Sequence, residues 1–288
     1  MLILATGAVF LAAAAAGFLG GLLGIGGGTI LVPTYSTVLQ ALGVSLSEAP
    51  KFAVATSLAS MILLTLGSVQ QHARARRFEW RSALWLGLGG STTAWGFASL
   101  AIRLDGRWLI GGFGLFALIV AYSYSRGTST SKPAGPAHRT DRSALRLSLT
   151  GAFAGAIGSL FGVGGGIVAV PLQTAQGIAI HTAIANSSGM ILLNALVASA
   201  RYATAQVDAS ALAPLVRHLP GAPLQTPAWI GQGYVLIPVA LLSGVFAYRF
   251  ARWGARVAGG LSTARLRSYF AYALAGVGLL CIYRAMSA

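Results

Sequence analysis

Charge is scarce in this chain, and acid is scarcer than base. Only 9% of its 288 residues are charged, five of them Asp or Glu, whereas soluble domains carry about a quarter. No ordinary soluble surface can be built from that composition. So few carboxylates also leave little support for an ion relay built on buried acids. A single cysteine, Cys281, excludes an intrachain disulfide, a CxxC metal site or a pair of redox thiols. The apolar segments hold no HExxH, no paired carboxylates and no Ser-His-Asp set, so nothing points to an enzyme, a metal or a cofactor. Glycine-rich nucleotide motifs of the GxGxxG or GxxxxGK[ST] type are missing as well.

Apolar residues make up 56% of the chain, alongside 38 glycines. Several apolar runs reach the roughly 20 residues that cross ~30 Å of hydrocarbon, which predicts a multi-pass protein of the cell membrane with lipid as its solvent. The opening stretch "MLILATGAVFLAAAAAGFLG" lacks the basic start of a secretory signal, and part of it recurs mid-chain, so it is expected to stay as structure. The net charge of +15 fits positive-inside orientation better than nucleic acid, because no basic stripe is interleaved with aromatics. Arg74, Arg76, Arg77 and Arg81, then Arg126, Lys132, Arg139, Arg142 and Arg146, then Arg249, Arg252, Arg256, Arg265 and Arg267 mark three cytoplasmic connections. Both termini are then expected outside.

The decapeptide "GIGGGTILVP" from Gly24 to Pro33 recurs as "GVGGGIVAVP" from Gly162 to Pro171. Upstream, Ala16, Gly17, Gly20 and Leu22 match Ala154, Gly155, Gly158 and Leu160. Downstream, "AVATSLASMILL" from Ala53 pairs with "AIANSSGMILL" from Ala183, with a gap of one residue. The chain therefore reads as a duplication: a first transmembrane repeat over 1–125, a polar linker over 126–145 and a second repeat over 146–288. Predicted spans are 2–23, 33–42, 52–69, 82–102 and 108–123 in the first half. In the second they are 145–161, 171–180, 182–203, 231–250 and 269–283, with 207–228 outside the membrane. With the three basic connections inside, each glycine-containing unit must cross an even number of times or form a re-entrant hairpin. The fold class is then all-α, with two repeats of inverted topology, as in many secondary transporters.

Contiguous glycines break a helix, and the proline that follows predicts a restart at Pro33 and at Pro171, with proline at the first helical position. Non-helical backbone at membrane depth must face protein or a wet cavity. Bare N–H groups beside a helix N-terminus form a receptor for an anion, so Gly26, Gly27, Gly28 and Pro33 with Gly164, Gly165, Gly166 and Pro171 are the candidate ligand loops. The competing role is close helix packing, which needs spaced rather than contiguous glycines and suits Gly17, Gly151 and Gly155. Thr56 and Ser57, with Asn186, Ser187 and Ser188, are polar groups at matching positions that either touch the ligand or satisfy helical carbonyls. Lys51 and His181 also match; each could pair with an anion or anchor at an interface. Glu48, Asp105 and Asp208 are expected near span ends and solvated.

At these residues the sequence resembles the sulfite exporter TauE/SafE family, through the twice-repeated G-x-GGG-x4-P, the A-T/N-S patch after it and the basic linker. The resemblance implies transport of a small sulfur-containing or organic anion, such as sulfite or an organosulfonate, outward across the cytoplasmic membrane. Import of such an anion, or an anion channel built on the same loops, are the alternatives. A relay of several cysteines, known in a related group of transporters, is impossible with Cys281 alone.

Overall fold

The computed structural model describes residues 2–125, 143–216, 233–258 and 263–286. Most of the polar linker and the stretch 217–232 lie outside the described residues, as do 259–262 in the third basic connection. Every long element is a helix: α1 (Leu2–Leu23), α2 (Gly28–Ala41), α3 (Ala49–Arg74), α4 (Trp80–Arg103), α5 (Gly106–Ser125), α6 (Ala144–Phe161), α7 (Gly166–Ala175) and α8 (Ile180–Ala203). A 3-10 turn and the one-turn α9 (Ala213–Val216) follow, then α10 (Ile237–Val257) and α11 (Thr263–Met286). Five of these helices are long and apolar enough to cross a membrane.

Side-chain distribution is inverted relative to a soluble bundle. On α4 the inward face carries Ala83, Gly87, Gly90, Ala94 and Ala98, while Trp80, Leu84, Leu88 and Trp95 are exposed. Lipid tails cost these large side chains nothing, and small residues let helix backbones touch. At Gly21 a Cβ would collide with the carbonyl oxygen of Ala251, and at Gly151 with that of Leu86.

The packing of one half repeats in the other. Helix α10 lies along α1, with Gly17 on Ala247 and Gly21 on Ala251, and along α3, with Leu63 on Gly244 and Gly67 on Tyr248. Helix α4 lies in the same way along α6, with Leu86 on Gly151 and Gly90 on Gly155, and along α8, with Gly87 on Leu193. Each trio runs in one direction. Between the trios α3 and α8 are antiparallel, joined by Met61 and Ile191 at the centre and by a 3.0 Å Ser68–Ser188 hydrogen bond. Helices α5 and α11 pair with each other through Gly114 and Gly278.

Two expectations need correction. Leu63 and Leu193 occupy matching places on Gly244 and Gly87, so α3 and α8 align without the one-residue gap; an inserted residue would rotate every later side chain by about 100°. Secondly, the helices restart at Gly28 and Gly166, leaving Pro33 and Pro171 in their second turn. There each proline removes one ladder bond, to the carbonyl of Thr29 or Ile167, a loss tolerable so near a helix start. Helix α2 packs on α3, with Tyr35 3.2 Å from Ser60, and just before α2 a Cβ at Gly27 would lie 2.9 Å from Ala16 Cβ and 2.7 Å from Leu64 Cδ1. With 14 and 10 residues, α2 and α7 extend only about 21 and 15 Å.

Candidate anion site at the paired glycine loops

The two breaks meet. A Cβ at Gly26 would lie 2.6 Å from the Val163 carbonyl oxygen, one at Gly28 2.6 Å from Val163 Cα, and one at Gly166 3.1 Å from the Ile25 carbonyl carbon. Met61 and Ile191 pack against both Gly26 and Gly164. Backbone conformation explains the residue type: Gly24, Gly26, Gly162, Gly164 and Gly165 have φ of +65°, +76°, +73°, +75° and +88°, where side chains are strained. Gly27 departs from the pattern with φ of −88°, so the loops are not identical.

Donors in the loops are only partly used. Gly24 N–H bonds to the Gly20 carbonyl, and Val163 and Gly164 N–H bond to that of Gly158. The N–H groups of Gly26, Gly27 and Gly28, and of Gly165 and Gly166, have no acceptor among the described residues, although all five residues are buried. Buried backbone donors are nearly always paired in native structures. Here they cluster where the N-termini of α2 and α7 come together, so positive helix ends and bare N–H groups converge on one region. Bare N–H groups and helix N-termini suit an anion, and the carbonyl oxygens of Gly24, Gly162 and Val163 and the Ser57 hydroxyl reach the same junction.

The other candidates fall into distinct places. Thr56 Oγ1 accepts the N–H of Leu236 at 3.1 Å and Asn186 Oδ1 accepts that of Glu79 at 3.0 Å. Leu236 and Glu79 immediately precede α10 and α4, so this matched pair caps two helices. Ser57 donates to the Gly162 carbonyl at 3.1 Å and thereby ties α3 to the opposite loop. Ser187 accepts from Gln173 Nε2 at 2.7 Å, and Ser188 also donates to the Ile184 carbonyl. Pro33 is half-buried and Pro171 exposed, so neither lines the junction. Lys51 and His181 begin antiparallel helices, each one turn before the residue, Val54 or Ile184, that packs on a loop glycine, Gly162 or Gly24.

Lys51 is buried, 3.0 Å from Glu48 and 5.7 Å from the Tyr234 ring centroid. Glu48 is therefore ion-paired rather than merely solvated. It lines, with Ser45, Asp208 and Tyr234, a cavity of about 390 Å³ at this end of the molecule. Burial, and then the adjacent Glu48, push the Tyr234 phenol well above its ordinary range, so it stays neutral. Asp105 accepts the Arg107 N–H at 2.8 Å at the start of α5. Reading the sequence missed a hydroxyl cluster in which Tyr35 donates to Ser243 at 2.7 Å and lies 3.2 Å from Ser60. Its parts come from three helices, and no local spacing announces it.

A family model described as Sulfite exporter TauE/SafE matches residues 9–281. The chain is 25% identical over 268 residues to a probable membrane transporter protein of Methanocaldococcus jannaschii, covering 92% of this chain and 91% of that one. It is 33% identical over 186 residues to a probable membrane transporter protein of Haemophilus influenzae, covering 63% and 68%. A probable membrane transporter protein YunE of Bacillus subtilis is 24% identical over 203 residues, covering 65% and 74%. No solved structure matches.

Proposed function

Because this chain belongs to the sulfite exporter TauE/SafE family and is a membrane transporter, we propose that it is a secondary carrier exporting a small anion, sulfite or an organosulfonate. The observation that carries the reading is the convergence of two glycine loops with buried N–H groups that lack acceptors among the described residues. An anion seated there would pair those donors and meet the positive ends of α2 and α7 from opposite sides.

Alternating access follows from inverted repeats. The antiparallel α3/α8 pair and the matched packing of each trio support that topology, with α1–α2 and α6–α7 as hairpins that turn back at the glycines. Arg74, Arg76, Arg77 and Arg81 set the end of α3 in the cytoplasm, which puts the Glu48–Asp208 cavity outside. The arginines after α3 would raise the local concentration of anions at the inner mouth. Close contact across the loops supports a carrier over a channel, since Gly28 abuts the Gly162 carbonyl and leaves no open path between them. Thermal unfolding of purified protein against a panel of sulfite, sulfoacetate, sulfate and acetate tests the anion site. Stabilisation by at least one sulfur oxyanion is expected, and no response to any of them would defeat the reading.

A further inference from the structure

Asn194 is 1% exposed, and neither its Oδ1 nor its Nδ2 has a partner among the described residues. A primary amide offers two donors and an acceptor, and leaving all of them dry is costly. Its surroundings are built around it: at Gly90 of α4 a Cβ would lie 2.7 Å from Asn194 Nδ2, so only glycine leaves space for the amide. Gly90 in turn rests on Gly155, next to Ala154, whose carbonyl carbon would lie 2.7 Å from a Cβ at Gly165.

On α8 the residue follows, one turn later, two side chains that pack on the second glycine loop. Met190 Cε would be 3.3 Å from a Cβ at Gly165, and Ile191 Cγ2 2.6 Å from one at Gly164. Asn194 follows them by four and three residues, the spacing that stacks side chains on one helix face. In the gap-free register its counterpart is Leu64, which packs against Gly20 and Gly27, the equivalents of Gly158 and Gly165. At this repeat position the first half carries a hydrocarbon on its loop, and the second half carries an amide without a partner among the described residues.

We propose that Asn194 is a ligand residue for the transported anion, making the site asymmetric and centred on the Gly164–Gly166 side. The proposal rests on the reading of the loops as an anion site. Asn194 Nδ2–H would donate to an anion oxygen beside the N–H groups of Gly165 and Gly166, while Oδ1 requires a donor in return. That pair of demands selects a small oxyanion that keeps one O–H, such as hydrogen sulfite, over a fully deprotonated one, which would leave Oδ1 unpaired.

The test is Asn194→Leu, which installs the first-half residue, a near match in volume. Sulfite binding to purified protein is measured by calorimetry, and thermal unfolding is followed with and without sulfite. The expected result is unchanged or higher stability without ligand, with sulfite affinity weakened about tenfold or more (about 1.4 kcal/mol). Unchanged sulfite affinity with raised stability would mean that the amide holds only water, and would overturn this proposal while leaving the loop site standing. Absence of sulfite binding by the parent protein would overturn the proposal together with the reading beneath it.

Discussion

Substituting Gly28 by alanine separates contact across the loops from backbone strain. Gly28 is the first residue of α2 and is not among the glycines with positive φ, so alanine meets no penalty from its own backbone. Its Cβ would collide with the Gly162 carbonyl oxygen and lie 2.6 Å from Val163 Cα. Both obstacles are backbone and cannot rotate away; the second loop must move. Overpacking of this kind costs about 1–3 kcal/mol, offset by at most about 1 kcal/mol for replacing glycine in a helix. With the full offset a net loss of about 0–2 kcal/mol relative to the parent is expected, and of about 1–3 kcal/mol relative to a helix glycine replaced without a clash. Gly96→Ala is the control, because a Cβ there meets nothing within 4 Å and should be neutral or slightly stabilising. Thermal unfolding in detergent reads the stability, and sulfite binding reads the site. Gly28→Ala with the stability and sulfite affinity of both Gly96→Ala and the parent would refute the argument that the loops bear on each other.

The capping pair should behave additively: Thr56→Val and Asn186→Leu each strand a backbone N–H, of Leu236 or Glu79, and each should cost about 1–3 kcal/mol by thermal unfolding. Their double variant should lose about the sum. For topology, a cysteine at Ser131 on a Cys281→Ser background should resist an impermeant maleimide in intact cells and react after lysis. Labelling in intact cells would reverse the orientation.

Much of this architecture is legible in the residues because the duplication is written in glycine. Gly24 and Gly162, Gly26 and Gly164 match because all four sit at positive φ, a demand few other residues meet. Pro33 misled for a physical reason: a proline fits the first position of a helix best, yet in the second turn it forfeits only one bond, so the break alone sets the restart at Gly28. The polar patch could be found but not interpreted, since capping of α10 by Thr56 and the tie from Ser57 to Gly162 are contacts between distant segments. Asn194 was hidden by the alignment. A one-residue gap pairs Leu64 with Leu193 and sets Asn194 beside Thr65, another polar residue, whereas the helix register pairs Asn194 with Leu64 and exposes the contrast.

Trans-stimulated exchange in proteoliposomes tests the central claim most directly. Vesicles holding the purified protein are loaded with unlabelled sulfite, and entry of radiolabelled sulfite is followed against vesicles loaded with an inert salt. A carrier that alternates around one anion site predicts saturable entry, faster when sulfite waits on the far side. Entry that rises linearly with concentration and ignores the internal sulfite would contradict it and indicate an open pore.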